Sequence, residues 1–453
     1  MTRGRPPRLA EVAGFTGWIG EGWGVPPRTP PVVAGAAEAA AAHRARLAEA
    51  LPGRTVAVAS GRAPVRSNDT SYDFRPDSDF SWLTGCPVED AVALVAGGEA
   101  TLFVPPPAYP GETGFFADAA HGELWVGSAP SLDDWAAALG VPVRPLSALD
   151  EALARAGAVS WAGPGEGERP EELARTLAEL RMVKDDWEIA QLRAAVETTV
   201  DGFAAVLREL PAAVDGGGER WLQGTFDRHA RTHGNGPGYA TIVGAGVHAP
   251  TLHWVRCDGA VRPEDLLLLD MGVEATSYYT ADVTRTFPVS GRFSPAQRQV
   301  HDLVERAHRA ALAAVRPGRR YSDFHHAAMQ VIAEGLDDWG LLPVSVDEAL
   351  SDTGQQHRRY LVCGIGHHLG LDVHDCARSR PEAYHDAPLT AGMVHTVEPG
   401  LYFHAHDQTV PPELRGLGVR IEDDILITAT GTEVLSDPLP LDAAGLEQWM
   451  AAP

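Results

Sequence analysis

The sequence predicts an α/β protein in two parts: a small N-terminal α/β domain, then a larger α+β domain of mixed or antiparallel sheets with helices between them. Three observations predict this. The 453 residues, 44% of them hydrophobic, exceed what one core usually takes. Helix-like and strand-like pieces alternate to about residue 160, and the Pro/Gly-rich stretch WAGPGEGERPEE (161–172) then reads as a linker. From Gly236 onward, short apolar runs are separated by Gly, Asp and Pro turns. The expected boundaries are an arm over 1–35, a first domain over 36–175 and a second over 176–445.

The elements follow in order. Residues 1–35 are rich in Gly, Pro and Arg and read as a poorly ordered arm or a wrapping extension. AGAAEAAAAHRARLAEAL (34–51) is a helix by propensity. TVAVAS (55–60), AVALVAG (91–97) and ATLFVPP (100–106) read as buried strands. The long pattern EELARTLAELRMVKDDWEIAQLRAAVETTVDGFAAVLREL predicts two helices, and two more are predicted over 295–316 and 321–340. GYATIVGAG, DLLLLDMG, DVTRTFPVSG, GMVHTVEPG and LGVRIEDDILIT read as strands. The histidine-rich GHHLGLDVHD is also read as a strand, with a Gly-assisted bend between His367 and His374.

Composition narrows the function. A net charge of −24 argues against nucleic acid or an anionic membrane as the main partner. No apolar run approaches the roughly 18 residues of a membrane span. The N-terminus lacks the continuous apolar stretch of a signal peptide. Four scattered cysteines (Cys86, Cys257, Cys363, Cys376) form no CxxC pair, which fits a reduced, cytoplasmic setting. Lys184 is the only lysine, so a phosphate-binding P-loop is excluded and Schiff-base chemistry would have to use that one residue.

A carboxylate set among apolar strand residues needs a cation or strong hydrogen bonds, because burying it unpaired costs several kcal/mol. Asp270 ends the run LLLL, and Asp282 lies twelve residues on, close to it if the chain turns near Glu274–Ser277. Glu398 sits in TVEPG. In VRIEDDILIT, alternation puts Val419, Ile421, Asp423 and Ile425 on one face, and Arg420, Glu422 and Asp424 on the other. Each acid alone could be structural and paired with an arginine. Four of them with one imidazole form a ligand set for two divalent ions, leaning towards manganese or cobalt, with zinc or iron also compatible. Two ions about 3.5–4 Å apart need bridging carboxylates and acidify a shared water.

The segments LLLLDMG, ADVTRTFP, GHHLGLDVHD, TVEPGLYF and VPPELRGLGVRIEDD stand in the order found in the pita-bread (creatinase/aminopeptidase-like) metallopeptidases. Over roughly residues 183–440 the chain resembles aminopeptidase P (Xaa-Pro aminopeptidase), and NDTSYDFRPDSDFSWLTG (68–85) extends the likeness to the N-terminal part. The resemblance implies that Asp270 holds one metal, that Asp282 and Glu422 bridge both, and that His367 and Glu398 complete the second. It implies that His253 and His374 line the pocket and contact the scissile peptide or the residues beside it, with Glu398 handling the proton as well. Tyr402 and Arg420 would support the ligands, Arg420 orienting the carboxylates. Asp69 and Trp125 match positions that reach a neighbouring subunit's site in a homodimer or homotetramer; an ordinary core or surface tryptophan is the other reading of Trp125. The implied substrates are short peptides with proline second.

Cys363 stands where the family usually carries a histidine, and is read as an altered neighbour of the ligands. His368 and, in GAGVHAPTLHW, Val247 and His248 also depart from the family pattern, and all are read as changes around one pocket. Asp372 and Asp375 are left out of the ligand set. The alternatives are a prolidase restricted to Xaa-Pro dipeptides, and a substrate-shifted or non-catalytic paralogue of the same fold.

Overall fold

A computed structural model describes residues 7–164 and 170–451. The predicted linker over 161–172, like the start of the arm, therefore lies partly outside the described residues. The chain divides into two compact units, Met1–Leu177 and Ala178–Pro453.

The first unit is built on a five-stranded sheet. In spatial order its strands are Val143–Pro145, Glu99–Val104, Val92–Ala96, Thr55–Ala59 and Val159–Ala162. The central pairings are antiparallel and both outer ones parallel. The three predicted strands are the middle of this sheet, which is where near-continuous apolar runs belong. The Ala-rich helix Ala36–Ala50 buries Ala36, Ala39, Ala40 and Leu47. The described part of the arm is a wrapping extension. Phe15 meets Phe116 edge-on at 5.2 Å, Trp23 meets Phe115 at 5.1 Å, and Arg28 pairs with Glu123 at 2.8 Å.

In the second unit, Leu266–Met271 is the middle strand of an antiparallel sheet, between Ile242–Ala245 and Val283–Pro288. All six of its residues are buried. Leu266 and Leu268 join a core formed with the helices Pro295–Ala314 and Tyr321–Asp338. Leu267, Leu269 and Met271 join a second core with the helices Asp186–Arg208 and Gly218–His233. A strand buried on both faces needs an unbroken apolar run, and each such leucine contributes about 1.5–3 kcal/mol of burial. Asp270 follows the even-numbered leucines by alternation. A second sheet orders Val394–Val397, Asp423–Ile427 and Thr432–Val434, and a hairpin pairs Gly400–Phe403 with Leu417–Arg420.

Two strand expectations are corrected. LGVRIEDDILIT is two strands, Leu417–Arg420 and Asp423–Ile427. Between them the backbone changes partners: Ile421 N donates to Pro399 O at 3.3 Å, and Glu422 N to Thr284 O at 3.1 Å. GHHLGLDVHD is an irregular loop, in which only His368 makes a bridge, to His395. Gly366 and Gly370 let this loop lie against its neighbours. A Cβ would fall 2.3 Å from Thr396 O at the first and 2.2 Å from an Asp375 oxygen at the second.

Candidate active site

The hairpin joins Leu266–Met271 to Val283–Pro288 with Asp270 opposite Thr284, and Asp282 stands one residue before the second strand. Tyr239 closes the pair. Its hydroxyl is 2.6 Å from one oxygen of Asp270 and 2.6 Å from one oxygen of Asp282. A hydroxyl has one proton and donates to one of them at a time. The loop carrying His367 places its Nε2 3.3 Å from Asp282 and 3.5 Å from Glu398. One ligand atom each from Asp282, His367 and Glu422 lie within 4.8 Å of one another. Asp270, Asp282, His367, Glu398 and Glu422 all line one cavity of about 580 Å³.

The supporting bonds explain how these acids are aimed. Arg420 donates to Asp270 at 2.5 Å, to Thr284 Oγ1 at 3.0 Å and to the Tyr402 hydroxyl at 2.9 Å. Thr284 Oγ1 donates to Glu422 at 2.6 Å. Thr396 Oγ1 accepts from His367 N at 3.0 Å and lies 3.3 Å from Glu398.

Burial pushes the Asp270 carboxyl up to about 6, with Asp282 adding to the rise and Arg420 opposing it. Burial likewise pushes Glu398 up to about 7, and Glu422 well above the usual carboxylate range. His367 moves up to about 9, because Asp282 and Glu398 outweigh a burial that alone would lower it. This is an anionic cluster short of positive charge. Among the described residues that line the cavity Arg420 is the one arginine and there is no lysine, so oxygen donors with one imidazole nitrogen converging there fit divalent ions of the manganese, cobalt or zinc kind.

His253 and His374 line the same cavity, and the His374 ring meets that of His367 edge-on at 4.5 Å. Burial lowers the His374 imidazole, with His367 adding to the effect. Cys363 lines the cavity beside Tyr321, Tyr384 and His385. Three residues placed at the pocket by sequence reasoning are elsewhere. His368 is buried away from it, its ring 3.9 Å from that of His395 and 4.8 Å from that of Tyr384. His248 stacks on Trp254 at 4.0 Å and bonds Glu219 at 2.8 Å. Val247 is exposed and does not line the cavity either.

Asp372 and Asp375 pair with Arg181, and Asp375 also accepts from Lys184 at 3.1 Å. The one lysine is thus a buried structural cation. Asp69 is exposed in the short hairpin of Val65–Ser67 with Thr70–Ser71. Trp125 is also exposed, its Nε1 donating to Phe116 O at 2.8 Å. Sequence reasoning missed Tyr239, Thr284 and Thr396. The threonines had a signal, as polar residues alternating with the acids in DVTRTF and HTVE.

Residues 190–429 match metallopeptidase family M24, and residues 40–160 match the aminopeptidase P N-terminal domain. The chain is 47% identical over 437 residues to Xaa-Pro aminopeptidase 1 of Streptomyces coelicolor, covering 93% of this chain and 88% of that one. It is 32% identical to the Xaa-Pro aminopeptidase of Escherichia coli, covering 90% and 96%. Among solved structures, Pseudomonas aeruginosa aminopeptidase PepP superposes with a TM-score of 0.81 at 30% identity, over 94% of this chain and 98% of that one. Escherichia coli aminopeptidase P with the inhibitor Pro-Leu superposes at 0.80 and 29%, over 91% and 98%. Fold and site together define a metallo-exopeptidase on a pita-bread scaffold. Within that class, the chain belongs to the aminopeptidase P family.

Proposed function

We propose that this chain is a dinuclear metal-dependent aminopeptidase that cleaves the bond between an N-terminal residue and a following proline in short peptides. The observation that carries it is the convergence of four carboxylates and His367 on one cavity that His253 and His374 also line. In this reading Asp270, Asp282, Glu422, His367 and Glu398 would hold the ions, with manganese favoured by the oxygen-rich donors. Such ions, when bound, supply an acidified water and polarise the scissile carbonyl.

The chain's own residues do the rest. Glu398 takes the proton from the attacking water and passes it to the proline nitrogen, which is tertiary in the substrate and has no hydrogen of its own. His253 and His374 donate to the carbonyl oxygen as negative charge develops there. Arg420, Tyr239, Thr284 and Thr396 hold the carboxylates in place, with Tyr402 steadying the arginine. Tyr321, Tyr384 and Cys363 give the wall an apolar and aromatic character suited to a proline ring. Exposed Asp69 and Trp125 are assigned to contacts with a neighbouring subunit in a dimer or tetramer, which light scattering on the D69A and W125A variants would test.

The deciding experiment is digestion of a peptide library with and without Mn²⁺, read by mass spectrometry. Release of the residue before proline from peptides of three or more residues, dependent on metal, is the expected result. Cleavage of dipeptides alone would make the chain a prolidase. No bound metal and no activation by Mn, Co, Zn or Fe would remove the catalytic reading.

A further inference from the structure

Glu219 is fully buried and lies outside the cavity. It stands in the first turn of the helix Gly218–His233, and its carboxylate accepts four hydrogen bonds. Oε1 accepts from Ala245 N and His248 Nδ1, both at 2.8 Å. Oε2 accepts from Trp254 Nε1 at 2.8 Å and Gly259 N at 2.7 Å. Four donors fill the acceptor capacity of a carboxylate. They come from both ends of one loop, Ala245 and Gly259, and from two side chains in its middle. Those two rings, His248 and Trp254, stack at 4.0 Å with 21° between their planes.

His253 lies between these anchors, directly before Trp254. It lines the cavity with its neighbours Leu252 and Val255. The loop has no regular secondary structure from Ala249 to Gly259 to hold it. Side chains hold it instead: Arg220 and Gln223 reach the carbonyls of Arg256 and Val255 and Cys257 is buried, but the Glu219 carboxylate makes the most bonds to it and the only ones that tie both its ends among these groups. We infer that Glu219, through His248 and Trp254, is a positioning residue that fixes the His253 loop against the cavity and so sets the efficiency of peptide cleavage. This rests on the reading of His253 as a substrate-facing group.

The test is a double-mutant cycle on the metal-loaded full chain, read as kcat/KM on an Xaa-Pro-Xaa peptide. Metal content and amide hydrogen exchange are measured alongside. W254F removes one donor and keeps a ring; E219Q replaces two acceptor positions by N–H groups. Each is expected to lower kcat/KM by about 10-fold, within the range a small misplacement of a reacting group costs. In an H253A background neither lowers it further by more than about two-fold, since both act through the same side chain. Bound metal stays unchanged, and exchange rises in residues 246–259 alone.

Losses that multiply in both backgrounds, or exchange that rises throughout the unit or nowhere, would overturn the inference. If E219Q does not fold, W254F and H248F carry the cycle. Wild-type kcat/KM in H253A would sink the underlying reading of His253 and this inference with it. A chain without peptidase activity would fail the proposed function and this inference with it, whereas an active chain with unchanged exchange in residues 246–259 would overturn the inference alone.

Discussion

Two sets of buried acids in the second unit are interleaved in the sequence, with Glu422 next to Asp423 and Asp375 next to His374. Asp423 accepts from Arg285 at 2.6 Å and Ser436 at 2.5 Å, and His308 lies 3.0 Å from its other oxygen. Burial would raise its carboxyl, but Arg285 and His308 hold it far below the usual range. Asp375 is held down to about 2, because Arg181 and Lys184 overcome the same burial. Burial drives the Glu422 carboxyl up and the neighbouring acids add to the rise, against a single threonine hydroxyl at 2.6 Å. The first set carries its own cations and is complete. The second shares one arginine, Arg420 on Asp270, and the His367 ring among four carboxylates, and that deficit is the physical mark of a cation site.

The largest expected effect is on chemistry. E398Q should lower kcat by about 10²–10⁴-fold, the usual worth of a positioned proton carrier, with Tm within a few degrees of wild type. A variant retaining full kcat would remove Glu398 from the proton path. Next comes stability in the paired set. D375N leaves Lys184 buried without its partner and should cost about 3–5 kcal/mol in urea unfolding, with metal content unchanged.

The sign of its pH dependence follows from the direction of the shift. The Asp375 carboxyl falls from an ordinary 3.8 to about 2, so its contribution is complete above its ordinary pKa and is lost as pH falls from there towards 2. Wild-type stability should therefore drop across that window more steeply than that of D375N. Equal slopes would break the comparison.

Smaller again is ligand linkage. Mn²⁺ at 100 times its dissociation constant should stabilise stripped wild-type protein by about 2.7 kcal/mol, and E422Q by much less. In the stripped state, E422Q should leave Tm unchanged or raise it, whereas D423N should lower it. Two adjacent residues giving opposite signs is the sharpest form of the contrast. The smallest effect belongs to Y239F, expected to weaken metal affinity or activity by about 10–100-fold as an outer-shell partner, measured by metal titration and kcat/KM.

Much of the fold was legible because burial writes itself into the chain. LLLL must be a strand covered on both faces, and the structure puts one core on each side of it. Acids inside such runs stood out for the same reason. GHHLGLDVHD was misread as a strand, since its backbone follows neighbours distant in sequence and lies close to Thr396 and Asp375 through its glycines. His368 and His248 looked like pocket residues because sequence proximity to His367 and His253 carries no direction. Tyr239 was missed because one tyrosine before a strand has no pattern.

The sequence by itself determined the two-part α/β organisation, the family through its ordered motifs, and the short list of acids worth weighing. Only the tertiary structure decided which acids share a cavity and which meet an arginine, a lysine or a histidine. Pairing is a matter of a few ångströms between residues far apart in the chain: Glu422 and Thr284 are separated by 138 positions and Asp375 and Lys184 by 191. Burial is local enough to be read in alternation. The counter-charge that decides whether a buried acid is structural or poised for a metal comes from elsewhere in the fold.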